Sequence, residues 1–598
     1  MKAISIFSAI VWWIFALAML LFSVDWAFSA DSTCGTNGVN DSCTPAGLQT
    51  LIDDAGTVAG DTITIATGTH TFNTAAVITK TITISGGGNC TDCGDNGAPT
   101  GTWPTTLNKE NTATEPSLVI KVPSSPTPVG HARITGIRFT GFTEQNYNCG
   151  PDDEGGPAVH TLTAFQNFAQ FRIDNNNYYD DIAVNTSGFV MADANHDNAS
   201  GVFDNNWFHS LECVGDGDNA FMAQVQKCND FFTSPGGGWS GDISWADPLD
   251  LGGVANTWVV FEDNTFDYDE GETSCLGNAF LVDVRKGGKG IWRHNHIEVG
   301  GWSMHGARGS ESRSGRAMII HDNVVSRGDF SRNITSFRGG SYWVWNNSFN
   351  VGATAGNRHR AAARVWGFRP GDPAEGGLWN GCIGNSFVDG NGAIDATASG
   401  TATSGSSTTL ADTSKSWTTN EWVDDYVHNT SEEDAEGTGS VDCISQVTSN
   451  TATTLTFAAL GPSCSGNGAF DASEGYKISN GYPCIDGHGF ASSSPGIGDD
   501  NRRPQAVTPM RWWNNTDATE ADCGGTLQPT GDFCIDTEIG PYFQQDRDWT
   551  HCADDTCPWV STFLSGYTEI AYPHPLRQEA VAVGSAMSGV SLSGGTLR

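Results

Sequence analysis

Fourteen of the chain's 30 basic residues fall between Arg285 and Arg369, against four acidic ones: Glu298, Glu311, Asp322 and Asp329. The segment carries +10 within a protein of formal net charge −38. Concentrated positive charge draws anionic polymers. Arginine predominates over lysine there, and its planar fork suits carboxylate and sulfate. β-Elimination from a uronate needs a cation on the carboxylate, a base, and an acid for the leaving oxygen. Arg316 and Arg338 are the first candidates to hold the carboxylate, with Arg308, Arg313 and Arg364 as further binding cations. Arg285, Lys286 or His305 can serve as base. The bland alternative is a ladder of structural ion pairs, with His305 a structural histidine beside Gly306.

Glycoside hydrolysis is the rival chemistry and requires two carboxylates across the sugar. Asp180-Asp181 is the candidate pair, and Gly487-His488-Gly489 echoes a polygalacturonase-type turn. No Asn-Thr-Asp precedes the aspartate pair, and an Asp pair in a turn is usually solvated. Asp152-Asp153-Glu154 and the run Asp263, Asp267, Asp269-Glu270 are possible Ca²⁺ ligands, although neither keeps a calcium-loop spacing. A third class is a non-catalytic adhesin or surface-layer component. The acidic balance disfavours nucleic acid as a partner.

Positioning falls to a repeated short motif: apolar residues, a polar pair ending in Asn, one residue, then an apolar residue. Copies end on Asn176, Asn206, Asn264, Asn295, Asn323, Asn347 and Asn385. Spacings are 24 to 38 residues apart from one of 58, which leaves room for a disguised coil. Short strands at such a period indicate a solenoid, and stacked Asn amides can satisfy buried backbone along it. A propeller or sandwich also has evenly spaced short strands, but irregular gaps and a preceding helix favour a parallel β-helix. That helix is expected from Thr44, an N-cap, followed by Pro45 at the first helical position. Strand language follows in GDTITIATGTHTF and ITKTITISGGG.

The helix and these strands resemble the opening of right-handed parallel β-helix proteins of the pectate-lyase type. Asp283-Val284-Arg285-Lys286 and Met304-His305-Gly306 resemble, distantly, the chondroitinase B and alginate lyase group. The resemblance implies that Arg285 or Lys286 takes the proton beside a uronate carboxylate, and that His305 lies in a binding turn. Met304 stands where that group's turn carries Arg. A broader likeness, through HDNVV, FRGGSYWVWNNSF and the YPHPL tail, is to exported bacterial β-helix proteins and implies fold alone.

The expected organisation is a signal peptide over 1–30, a capped β-helix over 31–396, an inserted small β module over 397–478, and β-helix continuation with a C-terminal cap or strap over 479–598. The module, rich in Ser and Thr, resembles small β units attached to phage-tail and secreted carbohydrate-active proteins. The leader combines Lys2, an apolar run over Ile4–Val24, and small residues before Asp31. An uncleaved anchor, which would hold the protein at the cell surface, is the alternative. Sixteen cysteines, all after Asp31, favour disulfides in an exported chain, with local pairs Cys34/Cys43, Cys213/Cys228, Cys523/Cys534 and Cys552/Cys557. Cys90 and Cys93 are a weaker zinc reading. The expectation is a secreted, polysaccharide-binding β-helix, clear of the membrane after cleavage.

Overall fold

A computed structural model of the chain describes residues 32–35, 43–88, 103–109, 117–120, 131–141, 159–161, 170–180, 190–193, 200–210, 223–226, 258–268, 282–285, 289–298, 301–304, 317–325, 335–337, 341–349, 363–365, 398–423, 425–432, 443–460, 467–479, 490–493, 505–507, 510–516, 527–530, 533–535, 549–552, 555–566 and 569–577. The fold is an all-β parallel β-helix. Three long sheets run the length of the stack: sheet A with 12 strands, sheet B with nine and sheet C with 11. One coil shows the path: Gln170–Asp174 in sheet A, Asn177–Asp180 in sheet B, Val190–Asp193 in sheet C, then Ser200–Asp204 back in sheet A. The rungs pair in parallel, apart from Leu527–Thr530 at the end of sheet C, which runs antiparallel to its neighbour.

The turn from sheet A to sheet B explains the asparagine motif. Its first residue adopts a left-handed φ of 49° to 56° at Asn175, Asn205, Asp263, His294, Asp322, Asn346 and Asn514. Asn, Asp and His are the non-glycine residues that tolerate this best. The second residue is the ladder asparagine. Asn206 Oδ1 accepts the backbone N–H and the Nδ2–H of Asn176, both at 3.1 Å, while its own Nδ2 donates to Ile173 O at 2.8 Å. The same arrangement repeats through Asn264, Asn295, Asn323 and Asn347.

Two expectations need correction. The 58-residue spacing hides no extra coil: Asn206 N–H donates directly to Asn264 Oδ1 at 3.0 Å, and Ser200–Asp204 pairs with Val259–Glu262. The intervening chain makes a single coil, through Trp207–Ser210 in sheet B and Ala223–Gln226 in sheet C. The ladder after Asn347 continues on Asn515, whose Oδ1 accepts from Asn347 N at 3.0 Å, and sheet A passes from Ser341–Trp345 to Met510–Trp513. Asn385 lies outside the described residues.

Inside the coils, identical positions stack. Phe139, Tyr178, Phe208 and Phe266 lie face to face with centroids 4.7 to 5.0 Å apart. Phe203, Phe261 and Trp292 form a second column. The coil rise brings like rings into contact, so each column gains dispersion as well as burial.

At the N-terminal end, helix α1 (Pro45–Asp53) is capped by Thr44, whose Oγ1 accepts Gly47 N–H at 3.1 Å. It buries Leu48 and Ile52 in the core. Gln49 treats the first strand of sheet C as a pairing partner, accepting Val77 N–H at 2.7 Å and donating to Val77 O at 3.2 Å. An otherwise open strand edge is thereby satisfied. A disulfide joins Cys34 to Cys43, and another Cys552 to Cys557. Residues Ala398 to Ser479 supply a separate seven-stranded antiparallel sheet with its own core, including Leu410, Val427, Leu455 and Phe457. Helix α2 (Pro558–Gly566) follows the last rung of sheet A.

Candidate functional site

The solenoid offers three outer faces, and each is chemically different. On sheet A the outer face is closed. Helix α2 and the segment after it cover a second apolar layer built from Val260, Ile291, Ile319, Trp343 and Trp513 with Val560 and Phe563. Beside this layer runs a ladder of charge. Arg133 clasps Asp174 through two bonds of 2.7 and 2.6 Å, and Arg172 clasps Asp204 at 3.1 and 3.0 Å. Arg293 donates to Glu262 at 2.9 and 2.7 Å and to Glu569 at 2.8 Å. The strap Glu569–Arg577 completes the set: Arg577 reaches Asp204, Glu262 and Asp263, and His574 N–H donates to Glu262.

His321 lies under the same strap. Its Nδ1 is 2.7 Å from Asp322 and its Nε2 3.2 Å from Glu569. Burial pulls its pKa down, but the two carboxylates more than offset this and hold it above the ordinary histidine value. Burial would raise Glu569; His321 and Arg293 instead hold it down at about 2.

The outer face of sheet B is only partly covered and is built from residues one and three places after each ladder asparagine. Arg138, Asn177 and Trp207 occupy one column, in register with one another; Tyr179, His209 and Asp267 occupy the next. The Arg138 guanidinium lies 4.2 Å from the Tyr179 ring centre. Tyr179 stacks on His209 at 4.9 Å. Asp267 is clamped, accepting Trp207 Nε1–H at 2.8 Å on one oxygen and lying 2.5 Å from His209 Nδ1 on the other. That contact leaves His209 Nε2 for other work. Arg138 has no carboxylate partner among the described residues, and its Nε is buried without an acceptor.

Sheet C carries two of the positions that the sequence singled out for elimination, Arg285 and Arg364. Val282 and Val284 point inward and are fully buried, and positions 283 and 285 alternate with them along the strand Val282–Arg285. Asp283 is in register with Ser303, Ser303 with Ser336, and Ser336 with Arg364. Asp283, Ser303, Ser336 and Arg364 thus share one register position on four successive coils. Lys286, His305, Arg308, Arg313, Arg316 and Arg338 lie outside the described residues, as do Asp181 and His488. Asp180 ends a strand of sheet B. Ser303 is fully buried, and its Oγ has no hydrogen-bond partner among the described residues.

The expectation of a continuous positive face needs revision at two places. Arg293 is fully buried in its carboxylate cage, and Lys289 is buried over the Trp258 ring at 5.3 Å. Both sit on sheet A, so neither contributes charge to sheet C. Met304 is inward and fully buried, which explains why an apolar residue occupies the place where the resemblance calls for Arg. Among the described residues no group of three or more His, Cys, Asp or Glu is arranged for a metal. Of the suggested calcium run, Asp263 is taken by Tyr572 and Arg577, and Asp267 by Trp207 and His209.

The sheet B cluster escaped the sequence reading because its members lie 30 to 60 residues apart and share no motif. The signal was nevertheless present. Once the ladder asparagines are aligned, the positions one and three beyond them are the outer ones, and there the chain writes Trp, Tyr, His and Asp.

No protein-family model matches the chain, and no curated protein matches it. Among solved structures it is similar to the alginate lyase from Paenibacillus sp. str. FPU-7, at 14% identity over 57% of this chain and 95% of that one, with a TM-score of 0.28.

Proposed function

We propose that the protein is exported, binds an anionic, uronate-containing polysaccharide along the outer face of sheet C, and cleaves it by β-elimination. The observation that carries this reading is the register of that sheet, which aligns Asp283, Ser303, Ser336 and Arg364 on adjacent coils, with Arg285 two residues beyond Asp283 on the same strand. Connections give secondary support. From Thr135 onward, sheets A and B are joined by two-residue turns, while the longer excursions enter or leave sheet C; one runs from Gln226 to Val259. Variable loops on a rigid scaffold are where binding sites are built. The disulfides fit an oxidising compartment.

Elimination removes the proton on the carbon beside the uronate carboxylate. The electron pair forms the new carbon–carbon double bond as the bond to the leaving glycosidic oxygen breaks, and that oxygen takes a proton. Arg308, Arg313, Arg316, Arg338 and Arg364 would stabilise charge building on the carboxylate. Lys286 suits the base role better than Arg285, since an ammonium beside other cations gives up its proton far more readily than a guanidinium. His305 would serve as the acid or the alternative base.

The test is ultraviolet absorbance of the unsaturated product on alginate, pectate and glycosaminoglycans, with and without Ca²⁺. Rising absorbance on one polymer names the substrate. A flat trace with new reducing ends means hydrolysis, and a flat trace with neither leaves a binding or structural solenoid. Unchanged polymer affinity in Arg316→Ala and Arg338→Ala would sink the binding surface itself.

A further inference from the structure

We propose a second saccharide site on the outer face of sheet B, centred on Arg138, Asn177 and His209, which takes a uronic acid residue. It goes beyond the reading of sheet C and uses none of its residues. Three observations carry it.

Arg138 is a cation without a counter-ion among the described residues, in a protein of net charge −38. On sheet A, Arg133, Arg172 and Arg293 each hold a carboxylate, and Arg577 of the strap does the same. Arg138 instead lies on the Tyr179 ring, partly exposed, with its Nε lacking any acceptor among the described residues. Stacking holds the guanidinium plane in place and leaves its edge for an oxyanion.

Asn177, between Arg138 and Trp207 in the column, is only 1% exposed, yet its Oδ1 receives no hydrogen bond among the described residues. A buried acceptor of this kind is costly unless a donor reaches it. On the neighbouring column, His209 is fixed through Nδ1 on Asp267, and its Nε2 has no hydrogen-bond partner among the described residues.

The vacant partners are therefore of two kinds, a donor fork for an anion and an acceptor that needs an O–H or N–H. A bare inorganic anion meets the first and leaves Asn177 unmet. A uronic acid carries a carboxylate and hydroxyls on one rigid ring, so both are met by one residue, and Trp207 offers an apolar wall for ring C–H groups. An acidic peptide is the competing ligand.

Carbethoxylation of His209 by diethyl pyrocarbonate, read by peptide mass spectrometry on the full-length protein, reports on this site alone. The probes are oligogalacturonate, oligoalginate and chondroitin oligosaccharide, with a neutral cello-oligosaccharide and poly-glutamate for comparison. At a concentration roughly ten times Kd, the free fraction and hence the His209 rate fall about tenfold. The expected result is slowing by at least one uronate oligomer, none by the neutral one or poly-glutamate, and loss of the slowing in Arg138→Gln. Slowing by no uronate oligomer, equal slowing by poly-glutamate, or slowing that survives Arg138→Gln overturns the proposal. The wild-type comparisons decide the first two outcomes without any variant. Arg364→Ala must leave the slowing intact; its loss there would make the two faces one site. Failure of sheet C to bind or cleave, with His209 still shielded, removes that reading and leaves this one standing.

Discussion

The outer faces of sheets A and B use the same residue type to opposite ends. On sheet A, Arg172 and Arg293 are buried, each fork is filled by carboxylates, and a strap from the C-terminal region seals the row. On sheet B, Arg138 has a ring beneath it and no carboxylate partner among the described residues. Burying a charge is tolerable only when pairing and hydrogen bonds replace water. Sheet A meets that condition by bringing in Glu569 and Arg577 from far along the chain. Sheet B leaves its cation at the surface, where water or a ligand can complete it.

The largest effect expected from this contrast is at Glu262, which faces both Arg293 and Arg577. Glu262→Gln leaves the buried Arg293 guanidinium and the half-buried Arg577 guanidinium short of charge and should cost about 3–5 kcal/mol. Urea unfolding would show a lowered midpoint, and proteolysis should cut the strap near Tyr572 more readily. A loss under about 1 kcal/mol would break the comparison, since it would mean that the network is not balanced by its carboxylates. Next in size is Asn295→Ala. It removes the acceptor for Asn264 N–H and Nδ2–H and the donor to Phe261 O. Unmet buried groups of that kind cost about 2–3 kcal/mol, and hydrogen exchange should quicken at the Asn264 turn before it does elsewhere.

The ladder was the most legible part of the sequence because one residue type does one job on every coil. Asn176, Asn206, Asn264, Asn295, Asn323 and Asn347 each meet the same geometric demand, so selection writes the same letter. Excursions were read less well. The chain between Asn206 and Asn264 is long enough for another coil, and it is the direct pairing of Phe203 with Phe261 and of Asn206 with Asn264 that rules one out. Partners across the fold were the least legible. Nothing local to Arg293 announces Glu569, 276 residues away, and a count of charge over the segment treated a buried, neutralised arginine as part of a positive face. Arg138, Tyr179 and His209 each look ordinary in their own coil and become a site only when the coils stack.

A milder break comes from pH. His321 binds its proton more tightly in the fold than in the unfolded chain, since Asp322 and Glu569 outweigh its burial. Its contribution is therefore whole below an unfolded value of about 6.5 and is lost as pH rises through the folded value. Glu569, held down at about 2, works the other way, contributing above an unfolded value of about 4.5 and losing its effect as pH falls towards 2. Both partners are charged between these limits, so the strap should resist proteolysis best in mildly acidic buffer and loosen in alkaline buffer. His294, 6.1 Å from His321, is pulled below the ordinary value by burial and opposes this trend at low pH. His321→Gln separates the two histidines: it should remove the alkaline loosening. If the loosening persists unchanged in that variant, His321 is not its source.

The smallest effect is expected at the cation that sets the comparison. Arg138→Gln removes a guanidinium whose attachment among the described residues is the ring of Tyr179, a contact worth about 0.5–1 kcal/mol at a partly exposed position. Arg172→Gln, one coil further along, takes from fully buried Asp204 its two-bond charge partner, leaving it Arg577 alone, and should cost several times more, about 3 kcal/mol. Measured side by side as urea midpoints, the two arginines should differ widely in stability, and in the reverse order in their effect on shielding of His209 by a uronate oligomer. Equal stability losses would show that Arg138 is a structural residue like its neighbour. A small loss of stability with a full loss of shielding is the pattern of a residue kept for a ligand, because a side chain that contributes little to the fold has its reason to be charged outside it.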